Sequence, residues 1–418
     1  YNHILASQVP DMPGCVTYYT SLFPGSFKQY STPFDSFWCC VGTGMENHSK
    51  YAESIYFKDN QELLVNLYIP SRLHWKEKGL KLTLDTYFPE SDTVTVRMDE
   101  IGSYTGTLLF RYPDWVSGDA VVRINGEPAQ TEAHKGSYIR LLDSVKSGDV
   151  ITLVFTRNLY IDYAKDEPHF GSVMYGPILL AGGLGTDDMP EDRVIDNRAC
   201  RESLPAKNIP MLVGPLTDLD SWIQCSSQHP LRFTVKNGGG QQGVGLVPYF
   251  QMHHQRHTVY WKLYSPDEFV YRTRSLTDEV KIGDETDERK HALQGENDSI
   301  YWHDYFWAKN TRFRMAKDGW FSYTLHINKT EQKPYHLICR FWGDEPDTCQ
   351  FDILIDGNYL RTVSLNRKLY LTYVDDVYSI PADWTRGKDK VNVTFRAAQG
   401  MNAGGLYELK ITSDTNYR

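Results

Sequence analysis

From about residue 61 onward the chain is written in short apolar runs, several alternating with polar positions at the period of two that half-buried strands require. Leu80-Lys81-Leu82-Thr83-Leu84 is the plainest, and Val94-Thr95-Val96, Thr107-Leu108-Leu109-Phe110 and the stretch 63–69 lie near it. Val121-Val122-Arg123-Ile124 leads into Asn125-Gly126, a pair suited to the left-handed backbone of a tight hairpin turn. The runs 151–155 and 173–180 complete a set large enough for an antiparallel sandwich. Fewer strands follow, at 232–235, 244–250 and 258–264, and they read as a small β insert. A second sandwich begins near residue 300, with runs at 320–327, 335–342, 351–355, 391–395 and 406–411. Between the two, 275–296 is dense in charge and reads as a solvated connector.

The first 58 residues break this pattern. Tyr1, Ile4 and Leu5 are spaced i, i+3, i+4, as on the apolar face of a helix already under way. Residues 46–56 carry helix formers with Tyr51 and Ile55 as a stripe. Thr43, with Glu46 three residues later, has the spacing of a capping box, which would start that helix just after Cys39 and Cys40. The expected fold class is therefore mainly β. A short helical N-terminal portion (1–58) precedes an antiparallel β-sandwich (59–185), a small β domain (186–274) and a C-terminal, jelly-roll-like sandwich (275–418). A length of 418 residues agrees, since it exceeds what one hydrophobic core usually fills.

Composition narrows the function classes. The formal net charge of −9 argues against nucleic acid as a partner, which would need a basic stripe. No apolar run is long enough to span a membrane, and none reads as a signal peptide. The 28 Tyr and 10 Trp suit both sandwich cores and surfaces that stack on sugar rings. For Trp302, Trp307, Trp320 and Trp342 the core is the better reading. Seven cysteines without regular spacing argue against a disulfide framework, leaving open a single bridge such as Cys339–Cys349.

The most informative chemistry is Phe37-Trp38-Cys39-Cys40-Val41-Gly42-Thr43-Gly44-Met45-Glu46-Asn47-His48. Adjacent thiols cannot form an unstrained bridge, so the pair implies a metal, a reactive thiolate, a strained redox bridge or two inert core residues. Zinc favours thiolates, and Cys15, Glu46 and His48 are the nearest further donors in sequence, yet no complete zinc spacing is present. Cys15 reads better as structural, and Glu46 as a carboxylate of the helix start. His253-His254, with His257 close by, looks like a metal cluster, but neighbouring side chains of a strand point to opposite faces, which argues against one.

The run Tyr1-Asn2-His3-Ile4-Leu5-Ala6-Ser7-Gln8, and above all Tyr30-Ser31-Thr32-Pro33-Phe34-Asp35-Ser36-Phe37 continuing through Cys39-Cys40-Val41-Gly42-Thr43-Gly44-Met45-Glu46-Asn47-His48, resembles the β-L-arabinofuranosidases of glycoside hydrolase families 127 and 146, more closely the latter. The strong motifs lie within 1–58. The later segments look like the accessory β-domains that often follow this catalytic unit in gut Bacteroidetes proteins. The resemblance implies that 1–58 is the C-terminal end of an (α/α)6 catalytic barrel whose pocket holds zinc. It makes Cys39 both the nucleophile and a zinc ligand, Cys40 a second ligand, and Tyr18 a residue that contacts the sugar. The remaining ligands, a Glu and a Cys, and the acid/base Glu belong to barrel segments upstream of Tyr1. A missing barrel segment is accordingly expected as a covalent or non-covalent partner, and this chain alone is expected to be inactive, its residues 1–58 having few partners.

The function so implied is part of a retaining hydrolase releasing β-L-arabinofuranose from plant polysaccharides or glycoproteins, in the periplasm or at the cell surface. A thiolate can take the place of the usual nucleophilic carboxylate once deprotonated. The alternative is a non-catalytic, carbohydrate-binding scaffold of β-sandwiches. A redox protein with a bridge between Cys39 and Cys40 is a third reading.

Overall fold

The computed structural model describes the chain outside residues 21–23, 37–38, 60, 166, 190–193, 196–208, 237–242, 304–310, 344–347, 367–372 and 415–418. The side chains of 18–20, 39–40, 43, 45, 194–195 and 271–275 also fall outside the description. The fold is mainly β, with two compact units, one holding Tyr1–Glu202 and Lys207–Ser265 and the other Pro266–Arg418.

Two sheets form the first sandwich. One has six strands, with Thr93–Glu100 between Val150–Val154 and Leu80–Thr86. The other has five, with Thr107–Arg111 parallel to Glu62–Val65 and antiparallel to Tyr138–Leu141. The alternation seen in sequence turns Val94, Val96 and Met98 inward, against Leu63, Val65 and Phe110 of the facing sheet. Asn125 (φ 51°) and Gly126 (φ 89°) make the expected hairpin turn, pairing Val121–Ile124 with Glu127–Pro128.

The run 173–180 is two strands rather than one. Phe170–Tyr175 and Ile178–Gly183 fold back on each other at Gly176, whose φ of +54° suits a residue without a side chain. Both belong to a nine-stranded sheet that includes Trp261–Tyr264 and Val244–Pro248. Its core packs Val173, Ile178, Leu180, Phe233 and the fully buried Trp261.

In the second unit another nine-stranded sheet is organised around the long strand Arg312–His326, which pairs with Lys390–Ala397, Asn402–Thr412 and Gln294–Trp302. Phe321, Phe341, Phe351 and Phe395 fill its core. Cys339 and Cys349 are buried thiols there, and no bridge joins them. Trp342 is buried as expected, whereas Trp302 is half exposed and Trp307 lies outside the described residues.

The charged stretch 275–296 is not a solvated connector. Leu276–Val280 is a strand paired with Asn402–Thr412, and Glu285–Lys290 is a helix. The Asp284 side chain caps that helix, accepting from the amides of Thr286 and Asp287 at 3.0 and 3.1 Å. Glu288 within it is buried because both its carboxylate oxygens face Arg314, at 3.0 and 2.9 Å. Charge in a sequence reports solvation only when no partner waits for it.

Candidate functional site

The helix carrying the cysteine motif spans Cys39–Lys50, so it begins at Cys39 and not at Thr43. Thr43 is its fifth residue and cannot cap it. The helix extends back through Cys40, Val41 and Gly42 although Gly42 and Gly44 each cost about 1 kcal/mol relative to Ala. Buried Val41 anchors this end, while Glu46, His48, Ser49 and Lys50 are exposed. Cys39 and Cys40 are the first described residues of this helix. His48 and Lys50 sit in the last turn, at the end that favours positive charge. The side chains of Cys39 and Cys40 lie outside the described residues, as does that of Tyr18, whose backbone belongs to the strand Thr17–Thr20.

The other donors near the motif in sequence are otherwise engaged. Cys15 is buried with Val9 and Tyr30, and desolvation raises its thiol pKa, as suits an inert core thiol. The His48 Nδ1 lies 2.9 Å from the Tyr51 hydroxyl. The expected apolar face of the first helical turn is not the buried one. Tyr1, Ile4 and Leu5 are each about two-fifths exposed, and Ala6 points into the core.

Residues ahead of the motif are far from partnerless. The strand Lys28–Ser31 is gripped by residues 249–257. Lys28 is buried, and its Nζ donates to the carbonyls of Ala6 (2.8 Å) and Tyr249 (2.9 Å), 4.2 Å from the centre of the Tyr249 ring. Desolvation lowers its pKa to about 7. The Tyr30 hydroxyl meets His253 Nδ1 at 2.9 Å, and buried Arg256 donates from Nε to the Gly25 carbonyl at 2.6 Å. Burial, first of all, lowers His253 and His257 to about 4, so both are neutral. His253 and His254 stand in a bend, with His254 at φ 56°, and not in a strand as the sequence reading assumed. They serve as packing and hydrogen-bonding groups.

The second unit holds a cleft of about 690 Å³ lined by Arg312, Arg340, Tyr373, Tyr407 and Glu408, with Gly283, Asp284 and Glu285 on one side. Arg340 is fixed by a two-pronged contact to Asp375, both bonds 2.7 Å, and by Glu408 at 2.6 Å. Arg312 stacks over the Trp302 ring at 4.5 Å. Behind Tyr373 and Tyr407, whose rings are 5.0 Å apart, Trp342 and Phe313 continue the aromatic wall. Flat rings beside fixed guanidinium and carboxylate groups can bind a polyhydroxylated ring on face and edge together. The sequence reading missed Arg340 and Tyr373, which no local motif marks.

Comparison with known families divides the chain in four. Residues 1–53 match the profile of the β-L-arabinofuranosidase GH127 catalytic domain, and 62–157 that of the GH127 middle domain. Residues 160–263 and 273–412 match two families described only as of unknown function. No curated protein matches the chain. Among solved structures, a glycoside hydrolase is 19% identical with a TM-score of 0.45, over 63% of this chain and 47% of its own. A GH127 β-arabinofuranosidase gives 16%, 0.45, 63% and 45%. A GH127 β-L-arabinofuranosidase from Geobacillus stearothermophilus T6 gives 17%, 0.38, 57% and 39%. The chain thus spans less than half the length of these structures.

Proposed function

From the match of residues 1–53 and 62–157 to the GH127 catalytic-domain and middle-domain profiles, we propose that this chain is part of a retaining glycoside hydrolase in which Cys39 attacks the sugar. What supports the reading is the match of residues 1–53 to the catalytic-domain profile, since the adjacent Cys39 and Cys40 lie within it. The substrate would be a β-L-arabinofuranoside of a plant polysaccharide or glycoprotein. The Cys39 sulfur bonds to the anomeric carbon as the C1–O bond breaks and the leaving oxygen takes a proton from a general acid. Water then attacks C1 and gives its proton to the conjugate base of that general acid, the C1–S bond breaks, and its electron pair returns to sulfur.

The donor chemistry of the motif fits zinc, because adjacent Cys39 and Cys40 offer two of the sulfur ligands this ion favours among its usual four. When bound, zinc keeps a coordinated sulfur deprotonated at neutral pH. Tyr18 would contact the sugar. Cys39→Ser in the full-length gene product is expected to abolish turnover of an aryl β-L-arabinofuranoside while the circular dichroism spectrum is retained. Undiminished turnover rejects Cys39 as nucleophile.

The cleft of the second unit favours an added, non-catalytic role in holding glycan. Tyr373→Ala is expected to weaken binding of arabinose-rich polysaccharide at least about tenfold, the loss of one stacked aromatic and its hydrogen bond, with turnover of the small aryl substrate unchanged. Equal binding by the variant rejects that role and leaves the catalytic reading untouched.

A further inference from the structure

Three separate segments of the second unit bring Asp278, His291 and His326 together. Asp278 lies on the strand Leu276–Val280, His291 closes the helix Glu285–Lys290, and His326 ends the strand Arg312–His326. One donor atom from each lies within 4.8 Å of the other two.

The hydrogen-bond geometry of His291 is informative. Its side chain is buried, and its Nδ1 lies 2.7 Å from the carbonyl oxygen of Asp287. A carbonyl only accepts, so Nδ1 carries the hydrogen. The other nitrogen, Nε2, faces Asp278 Oδ1 at 3.3 Å. In a neutral ring that nitrogen is a lone pair aimed at a carboxylate oxygen, an arrangement that calls for a cation between them or a second proton on the ring. Asp278 is itself built to stay ionised. It accepts from the backbone amides of Glu279 at 2.9 Å and His326 at 2.6 Å, two bonds that favour the carboxylate form. The Nδ1 of His326 approaches the other carboxylate oxygen at 3.2 Å, and its ring is two-thirds exposed.

We propose that the Asp278 carboxylate, His291 Nε2 and His326 Nδ1 form a binding site for a divalent transition-metal ion of the zinc type, with solvent completing its coordination. His291 Nε2 stands 3.3 Å from Oδ1 and His326 Nδ1 stands 3.2 Å from Oδ2, so the two imidazoles approach the two oxygens of one carboxylate. One donor atom from each residue lies within 4.8 Å of the others, close enough for small side-chain movements to bring all three onto one ion. The Nδ1–H of His291 donated to a backbone carbonyl is the outer-shell bond that typically orients a metal-binding imidazole. Two imidazoles disfavour calcium and magnesium, which take oxygen ligands. An ion here would pin the helix between its ligands at 278 and 291, and the start of that helix, Asp284 and Glu285, lines the cleft. This site is independent of the cysteine motif.

The test uses the whole chain with Cys39→Ser and Cys40→Ser, titrated with cobalt(II) and with zinc(II). The expected result is one equivalent bound, ligand-field bands without sulfur-to-cobalt charge transfer, and a raised melting temperature. His326→Ala, a change at an exposed side chain, is expected to weaken binding at least about tenfold. Calcium should bind no better to the parent than to that variant. If His326→Ala alters the circular dichroism spectrum, His326→Gln takes its place. The proposal is overturned by absence of a bound equivalent, by unchanged affinity in the His326 variant, or by a thiolate charge-transfer band. The first of these results would mean that a second proton on His291 meets Asp278.

Discussion

Lys28 places an ammonium nitrogen in a buried site where two carbonyls and an aromatic face stand in for water. Those partners do not repay the desolvation, and its pKa falls to about 7 from 10.5. Below pH 7 the folded and unfolded chains both carry the proton, and the cost of the buried charge is present in full. Between 7 and 10.5 the folded chain has lost the proton that the unfolded chain still holds, so stability rises with pH through this window. Lys28→Met removes the group and with it this dependence. The melting temperature of the parent should therefore climb relative to Lys28→Met from pH 7 to pH 10, by an amount worth a few kcal/mol at most. A constant difference between the two proteins across that range would show that Lys28 does not titrate there.

The helix Glu285–Lys290 illustrates how a short element is held from outside itself. Six residues are too few for a helix to persist alone in water. Asp284 caps its start, and Glu288 ties its middle to Arg314, which also reaches Asp298. Tyr323 donates at 2.6 Å to Glu288 Oε1, which also accepts from Arg314 Nε. Removing the carboxylate by Glu288→Ala leaves a buried guanidinium short of its main partner, at a cost of about 3–5 kcal/mol. Chemical denaturation of the full chain should show this as an earlier transition for the second unit. An unchanged midpoint would mean that Asp298 alone satisfies Arg314.

Across the whole molecule, the match to GH127 profiles covers residues 1–53 and 62–157, while the cleft and the proposed metal site lie in 273–412. Chemistry and glycan retention can then be separated by mutation. Cys39→Ser should lose turnover and keep polysaccharide binding, and Tyr373→Ala should do the reverse. If both losses follow from either change, the two functions share one site, and the assignment of the cleft to binding is wrong.

Much of this was legible along the chain. Short apolar runs located many of the strands, and Asn125-Gly126 announced its turn, because strand burial and turn geometry depend on neighbours in sequence, but Ser71–Trp75, Tyr138–Leu141, Gln294–Trp302, Asn358–Ser364 and Tyr373–Ile380 went unread. The cysteine motif resembles families 127 and 146, more closely the latter, and the profiles that residues 1–53 and 62–157 match are those of family 127. Distance in sequence hid the rest. The burial of Glu288 and the meeting of Asp278, His291 and His326 depend on what another segment brings. Local residue type can specify the shape of a segment, but the environment of a charge is set by packing, which only the folded chain supplies.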